Sequence, residues 1–162
     1  MGMTGKCLRC SADQFADMSD DSELFATLRF NQRDQTIDID QAWHGIHFLL
    51  TGSPDAGAYP LDFLLAGGME VGARDDGFGP SRAFSPDEVR EIWSSIEPIT
   101  AEFLQAQYTA QALVDNRIYP ENAWDTSSDF DFADFIASNY RELRNFLESA
   151  NAENQAVVVY LT

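Results

Sequence analysis

Lysine is almost missing from this sequence. Lys6 is the only one, and with nine arginines it stands against 27 acidic residues, for a formal net charge of −17. The shortage of positive charge excludes two classes of partner. A nucleic-acid binder needs a basic face that neutralises phosphates, and adsorption to an anionic membrane needs a polybasic patch; no run of basic residues supplies either. Long apolar runs are missing too. None approaches the roughly 20 residues that span a bilayer, and the opening "MGMTGKCLRCSADQ" has no apolar stretch of signal-peptide length. Myristoylation would want Ser or Thr at position 6 and meets Lys6. The expectation is a cytoplasmic protein that binds neither nucleic acid nor membrane. Linkers rich in Gly, Ser or Pro and internal repeats are also lacking, so residues 1–162 read as a single domain.

Apolar material is plentiful by contrast. Hydrophobic residues make up 44% of the chain, with twelve Phe, five Tyr and three Trp, enough to offset the entropy of ordering the backbone. A chain of this length can bury about 70% of the surface that its unfolded form exposes. The acidity has a plain reading, solubility, and a sharper one: a surface that steers toward a basic protein partner, as an inhibitor or nucleic-acid mimic would.

Local signals place the elements. "MTGKCLRC" reads as a strand, and Ser11 with Gln14 forms a capping box ahead of a short helix. "LFATLRF" reads as another helical piece. Asp40 is placed to cap a helix over "AWHGIHFLLT" that stops at Thr51-Gly52. "PLDFLLAGG" reads as a brief helix closed by Gly67-Gly68, and "MEVGARDDGFGP" as mainly turn with one edge strand. "SRAFS" is extended. Ser85, Pro86, Asp87 and Glu88 then open a helix whose Val89, Ile92, Trp93 and Ile96 recur at helical spacing. Thr100 caps a further short helix, "AQALVDN" makes another, and Tyr119-Pro120 breaks the chain. A long amphipathic helix presents Phe132, Phe135, Ile136, Asn139, Leu143, Phe146 and Leu147 on one face. "AVVVYLT" closes as a strand. Strands so scattered cannot build an alternating α/β series, so the fold class expected is α+β, a small, mainly antiparallel sheet packed against several helices.

The chemistry-bearing residues are few. The two histidines, His44 and His47, lie about 60° apart on a helix, at roughly 100° per residue. With the cysteines of "CLRC" they match the ligand set of a structural zinc site. The spacing argues otherwise: 33 residues separate Cys10 from His44, and a catalytic zinc helix would carry a glutamate between its histidines. On the same wheel Ile46, His47 and Leu50 cluster with Trp43, whereas His44 falls beside Phe48. Both imidazoles therefore have apolar neighbours, and Asp40, one turn before His44, is the natural hydrogen-bond partner of a neutral buried histidine. Cys10 precedes a helix N-cap, where a dipole favours thiolate; the alternative is that both cysteines are small buried hydrophobes. No nucleophile elbow is present. "GFGPSRAFSPDE" makes a poor phosphate loop, because Asp87 and Glu88 already occupy the positive end of the helix.

The order of "MGMTG", "DIDQAWHGIHFLLTG", "GFGPSRAFSPDEVREI", "RIYP" before an acidic segment, and the final helix and strand resembles the YfbM-like (DUF1877) family of small bacterial proteins. The resemblance runs over nearly the whole chain. It implies a compact cytoplasmic α+β domain and carries no catalytic residue, metal or cofactor with it. Two functional expectations follow. The first is a non-catalytic binding or regulatory protein, immunity-like, whose acidic surface contacts a basic protein partner. The second is a small-molecule site or enzyme built around Trp43, His44, His47, Arg82 and Tyr119, between the "WHGIH" helix and the "GPSRAFS" segment.

Overall fold

The closing run AVVVYL is apolar at every position, the pattern of a strand covered on both faces. In the computed structural model, which describes residues 2–72, 77–124 and 127–162, that run forms β5 (Ala156–Leu161) at the centre of a five-stranded sheet. β1 (Gly5–Cys10) flanks it on one side and β4 (Ser81–Phe84) on the other. Two three-residue strands form the edges, β2 (Thr36–Asp38) beside β1 and β3 (Met69–Val71) beside β4. Every pairing is antiparallel, with Cys7 opposite Val159 and Phe84 opposite Val157.

Side-chain alternation along these strands divides the core in two. Cys7, Phe84, Val157 and Val159 face a large cluster supplied by α3 (Trp43–Thr51), α4 (Pro86–Ile96), α5 (Ala101–Ala106), α6 (Ala110–Asp115) and α7 (Phe132–Ala152). Leu8, Cys10, Ala83, Val158 and Tyr160 face a smaller one, closed by Met18 of α1 (Ala12–Met18) and by Phe25 and Leu28 of α2 (Leu24–Asn31). With 48% of the described residues in helix and 14% in strand, and with helices and strands not alternating, the class is α+β. Among the described residues no helix is long and apolar enough to cross a membrane.

Three of the four expected caps form, at Ser11, Ser85 and Thr100. Ser11 Oγ accepts from Gln14 N–H at 3.1 Å while Gln14 answers to Ser11 N–H, and Ser85 and Glu88 repeat the exchange at 3.2 and 2.8 Å. Thr100 accepts from Phe103 N–H, and Asp131 caps α7. Each such cap is worth about 1 kcal/mol.

Three local expectations need correction. Asp40 does not cap α3: it has φ +53°, begins a 3-10 turn over Asp40–Ala42, and turns its carboxylate onto the N–H of Gln41 at 2.7 Å. α3 starts two residues later, with Ala42 at its N-cap. "PLDFLLAGG" is a series of turns; Ala66 N–H reaches Asp62 O, but Gly67 and Gly68, at φ +77° and +67°, end the structure after that one turn. β2 is an additional strand, since three residues carry too little pattern to announce it without β1 alongside. Residues 73–76 of the expected turn and 125–126 of the acidic segment lie outside the described residues.

Candidate functional site

α3 carries both histidines of the chain. Gly45 lets it approach α7 closely, because a Cβ there would meet Ile136 Cδ1 at 2.8 Å, and Gly5 lets Trp43 lie against β1. Trp43, Ile46, His47 and Leu50 are buried, while His44 and Phe48 are half-buried, the division that the helical wheel predicts.

Four of the five residues singled out from sequence gather here. Trp43 stacks on His44, with ring centroids 4.9 Å apart and planes within 8°, and on Tyr119 at 5.7 Å; the His44 and His47 centroids lie 6.3 Å apart. The chain start is tied to the same cluster. Trp43 Nε1 donates to Met3 O at 3.2 Å, and Met3 N–H donates to the Tyr119 hydroxyl at 2.6 Å. Arg82 is engaged elsewhere: Nη1 donates to Gly67 O at 3.1 Å and Nη2 lies 3.9 Å from Glu70.

Hydrogen bonds define the state of each imidazole. Tyr119 N–H donates to His44 Nδ1 at 2.9 Å, so His44 is neutral with its proton on Nε2, which donates to Pro54 O at 2.8 Å. Both nitrogens are in use. His47 donates from Nε2 to Asp55 O at 2.6 Å, which leaves Nδ1 a buried acceptor without a partner. Burial pushes both histidines below the ordinary imidazole value, more than the carbonyl contacts and nearby carboxylates raise them. The partners thus come from the loop at 54 and 55 and from Tyr119. Asp40, expected to pair with His44, is not among them. Neutral imidazoles pinned to main-chain carbonyls position a loop against a helix; the hydroxyl beside them, Thr51 Oγ1 at 3.4 Å from His47 Nε2, donates to His47 O at 2.8 Å.

The cysteines are separated by the sheet. Three residues apart on β1, Cys7 enters the large cluster and Cys10 the small one, both as free thiols. Burial raises Cys7 to about 12 and Cys10 to about 11, so neither is a thiolate at neutral pH. Among the described residues no group of three or more His, Cys, Asp or Glu side chains is arranged to hold a metal ion.

A feature that sequence reasoning missed lies beside the cluster. Pro120, Trp124, Phe130, Phe132 and Phe135 line a groove of about 330 Å3 together with Asp40 and Gln41. Phe130 is 55% exposed, although its ring packs edge-on to Phe132 at 4.8 Å and Phe135 at 5.7 Å. Trp124 forms the buried floor, with Nε1 donating to Ile118 O at 2.7 Å. Exposed Asp129, Asp131 and Asp134 alternate with the phenylalanines in "DFDFADF". That alternation was the visible signal, hidden among many acidic pairs.

Charge placement reinforces the acidity. Every described Asp and Glu is exposed except Asp62, which is buried, and Glu88, which is half-buried. Three arginines are drawn inward: Arg9 covers Phe146, Arg29 covers Tyr160, and Arg144 covers Trp93 while donating to Glu97 O. These stems and planar heads serve as packing as much as charge.

Comparison with known proteins gives one family and one fold. No curated protein matches the chain. The crystal structure of YfbM from Escherichia coli, described as a protein of unknown function, is similar over 98% of this chain and 99% of that one, with a TM-score of 0.71 and 19% identity, a likeness of fold. The model of the family described as a domain of unknown function, DUF1877, matches residues 1–160, and the chain belongs to that family.

Proposed function

We propose that this protein is a non-catalytic binding protein of the bacterial cytoplasm, regulatory or immunity-like, that engages a basic protein partner through its acidic surface. The observation that carries this reading is the distribution of charge. Lys6, Arg9, Arg29, Arg82 and Arg144 are half-buried, whereas every described carboxylate except those of Asp62 and Glu88 is exposed, so the exposed surface is more acidic than the composition alone requires. The aromatic groove supplies an anchor: an apolar floor with acidic residues around it suits a segment bearing both cationic and apolar side chains. A second copy of this chain is a poor occupant, because each carries −17. Cation–π contact with Phe130 would add to the attraction.

The test is affinity capture from host lysate at low and moderate salt, with wild-type protein and an Asp129→Asn/Asp131→Asn/Asp134→Asn variant; Asn at 131 retains the helix cap. A basic protein held at low salt, released at moderate salt and lost from the variant is the expected result. Absence of any salt-sensitive partner, or equal retention by the variant, overturns the proposal.

The alternative site around Trp43, His44, His47, Arg82 and Tyr119 has less support. Three of the four imidazole nitrogens are occupied within the protein, and Arg82 is bound to Gly67 and Glu70.

A further inference from the structure

On this acidic molecule, three of the ten basic residues border one cleft. Lys6 on β1, Arg29 on α2 and Arg33 in the turn after α2 line a cavity of about 480 Å3, together with Thr36, Asp38 and Tyr160. Arg29 also lines an adjoining cavity of about 300 Å3, on whose wall stands Glu23. The volumes fall in the range of small-molecule sites, about 300–1,000 Å3.

Of the three cations in the cleft, Lys6 alone is ion-paired among the described residues. Lys6 lies 3.3 Å from Asp38. Arg29 and Arg33 have no carboxylate within ion-pair distance among the described residues, whereas Arg9, Arg82, Arg90 and Arg141 each have one. Stacking sets the guanidinium positions instead: Arg29 lies 4.6 Å from the centre of the Tyr160 ring and 5.5 Å from that of Phe25, and Arg33 lies 5.2 Å from that of Phe30. A guanidinium whose charge is met by an aromatic ring and not by a carboxylate keeps N–H donors for an oxyanion, which it can grip through two parallel hydrogen bonds. Two such groups on one cavity repel each other until an anion lies between them.

We infer that this cleft binds a small oxyanion, a phosphate- or carboxylate-bearing molecule, with Arg29 and Arg33 as its ligands and Lys6 as the third cation. The net charge of −17 repels long polyanions, so the ligand is small. The inference stands apart from the acidic-surface reading, which concerns other residues and a partner of opposite charge.

Titration of purified full-length protein at low ionic strength, followed by NMR at the arginine side chains and nearby amides, tests it with inorganic phosphate in one arm and citrate in the other. Saturable shifts at Arg29, Arg33 and Lys6 are expected, and the tighter arm tells phosphate from carboxylate chemistry. Arg33→Gln should weaken binding by about tenfold, the scale of one charge-assisted hydrogen bond, while Arg117→Gln, an exposed position that does not line the cleft, should leave it unchanged. Arg33 is exposed, with its guanidinium over the exposed Phe30 ring, so its variant serves even if Arg29→Gln unfolds the protein. Lack of saturation in both arms, or equal weakening by Arg117→Gln, overturns the assignment. Because no protein partner is present, failure here leaves the salt-dependent capture experiment unaffected.

Discussion

His44 and His47 share a helix and a neutral state but differ in what their second nitrogen does. His44 spends both nitrogens on main-chain groups, whereas His47 keeps Nδ1 buried and unpartnered. The pH consequence follows from the direction of their shifts. An unfolded imidazole titrates near 6.5, and both folded ones are held lower, so acid protonates the unfolded chain first. Their contribution to stability is complete above pH 6.5 and is lost as pH falls through the depressed values. Global stability sums every titrating group of the chain, which makes the imidazole itself the better reporter. Nitrogen NMR should show both rings mainly neutral at pH 6.5 with the proton on Nε2; a midpoint at or above 6.5 for either would contradict the hydrogen-bond assignment. Helical spacing foretold the burial of His47 and the flanking place of His44. It misassigned the partner, because Asp40 is near in sequence while Tyr119 arrives from 75 residues away.

At the scale of elements, α3 and α7 meet where Gly45 has no side chain. Gly45→Ala would gain up to about 1 kcal/mol of helix propensity. It would also push a methyl against Ile136 and toward Trp124, an overpacking that costs about 1–3 kcal/mol. Net destabilisation is expected in chemical denaturation, and an unchanged or higher midpoint would show that Ile136 rotates away freely. Capped helices were readable in advance because a cap and its partner lie within three residues, as in Ser85 and Glu88. The edge strands were harder. β2 has three residues, and its hydrogen bonds come from β1, nearly 30 residues earlier in the chain.

For the molecule as a whole, charge is the dominant property. With a net of −17, the folded state repels itself, and salt screens that repulsion over a Debye length of about 8 Å at physiological ionic strength. The melting temperature should therefore rise by a few degrees between low and physiological sodium chloride. A flat or falling curve would mean that the five ion pairs of the described residues, which salt weakens, outweigh the repulsion.

Composition and spacing alone determined the acidic character, the α+β class, the capped helix starts and the buried face of α3, all of which depend on residue type or on neighbours within about one helical turn. Tertiary structure decided which side chains meet. Trp43, His44, His47 and Tyr119 come together and Arg82 does not, while Lys6, Arg29, Arg33 and Tyr160 surround one cleft. The reason is separation along the chain: pairing of β1 with β5 brings Lys6 opposite Tyr160, and no local pattern records a contact of that range.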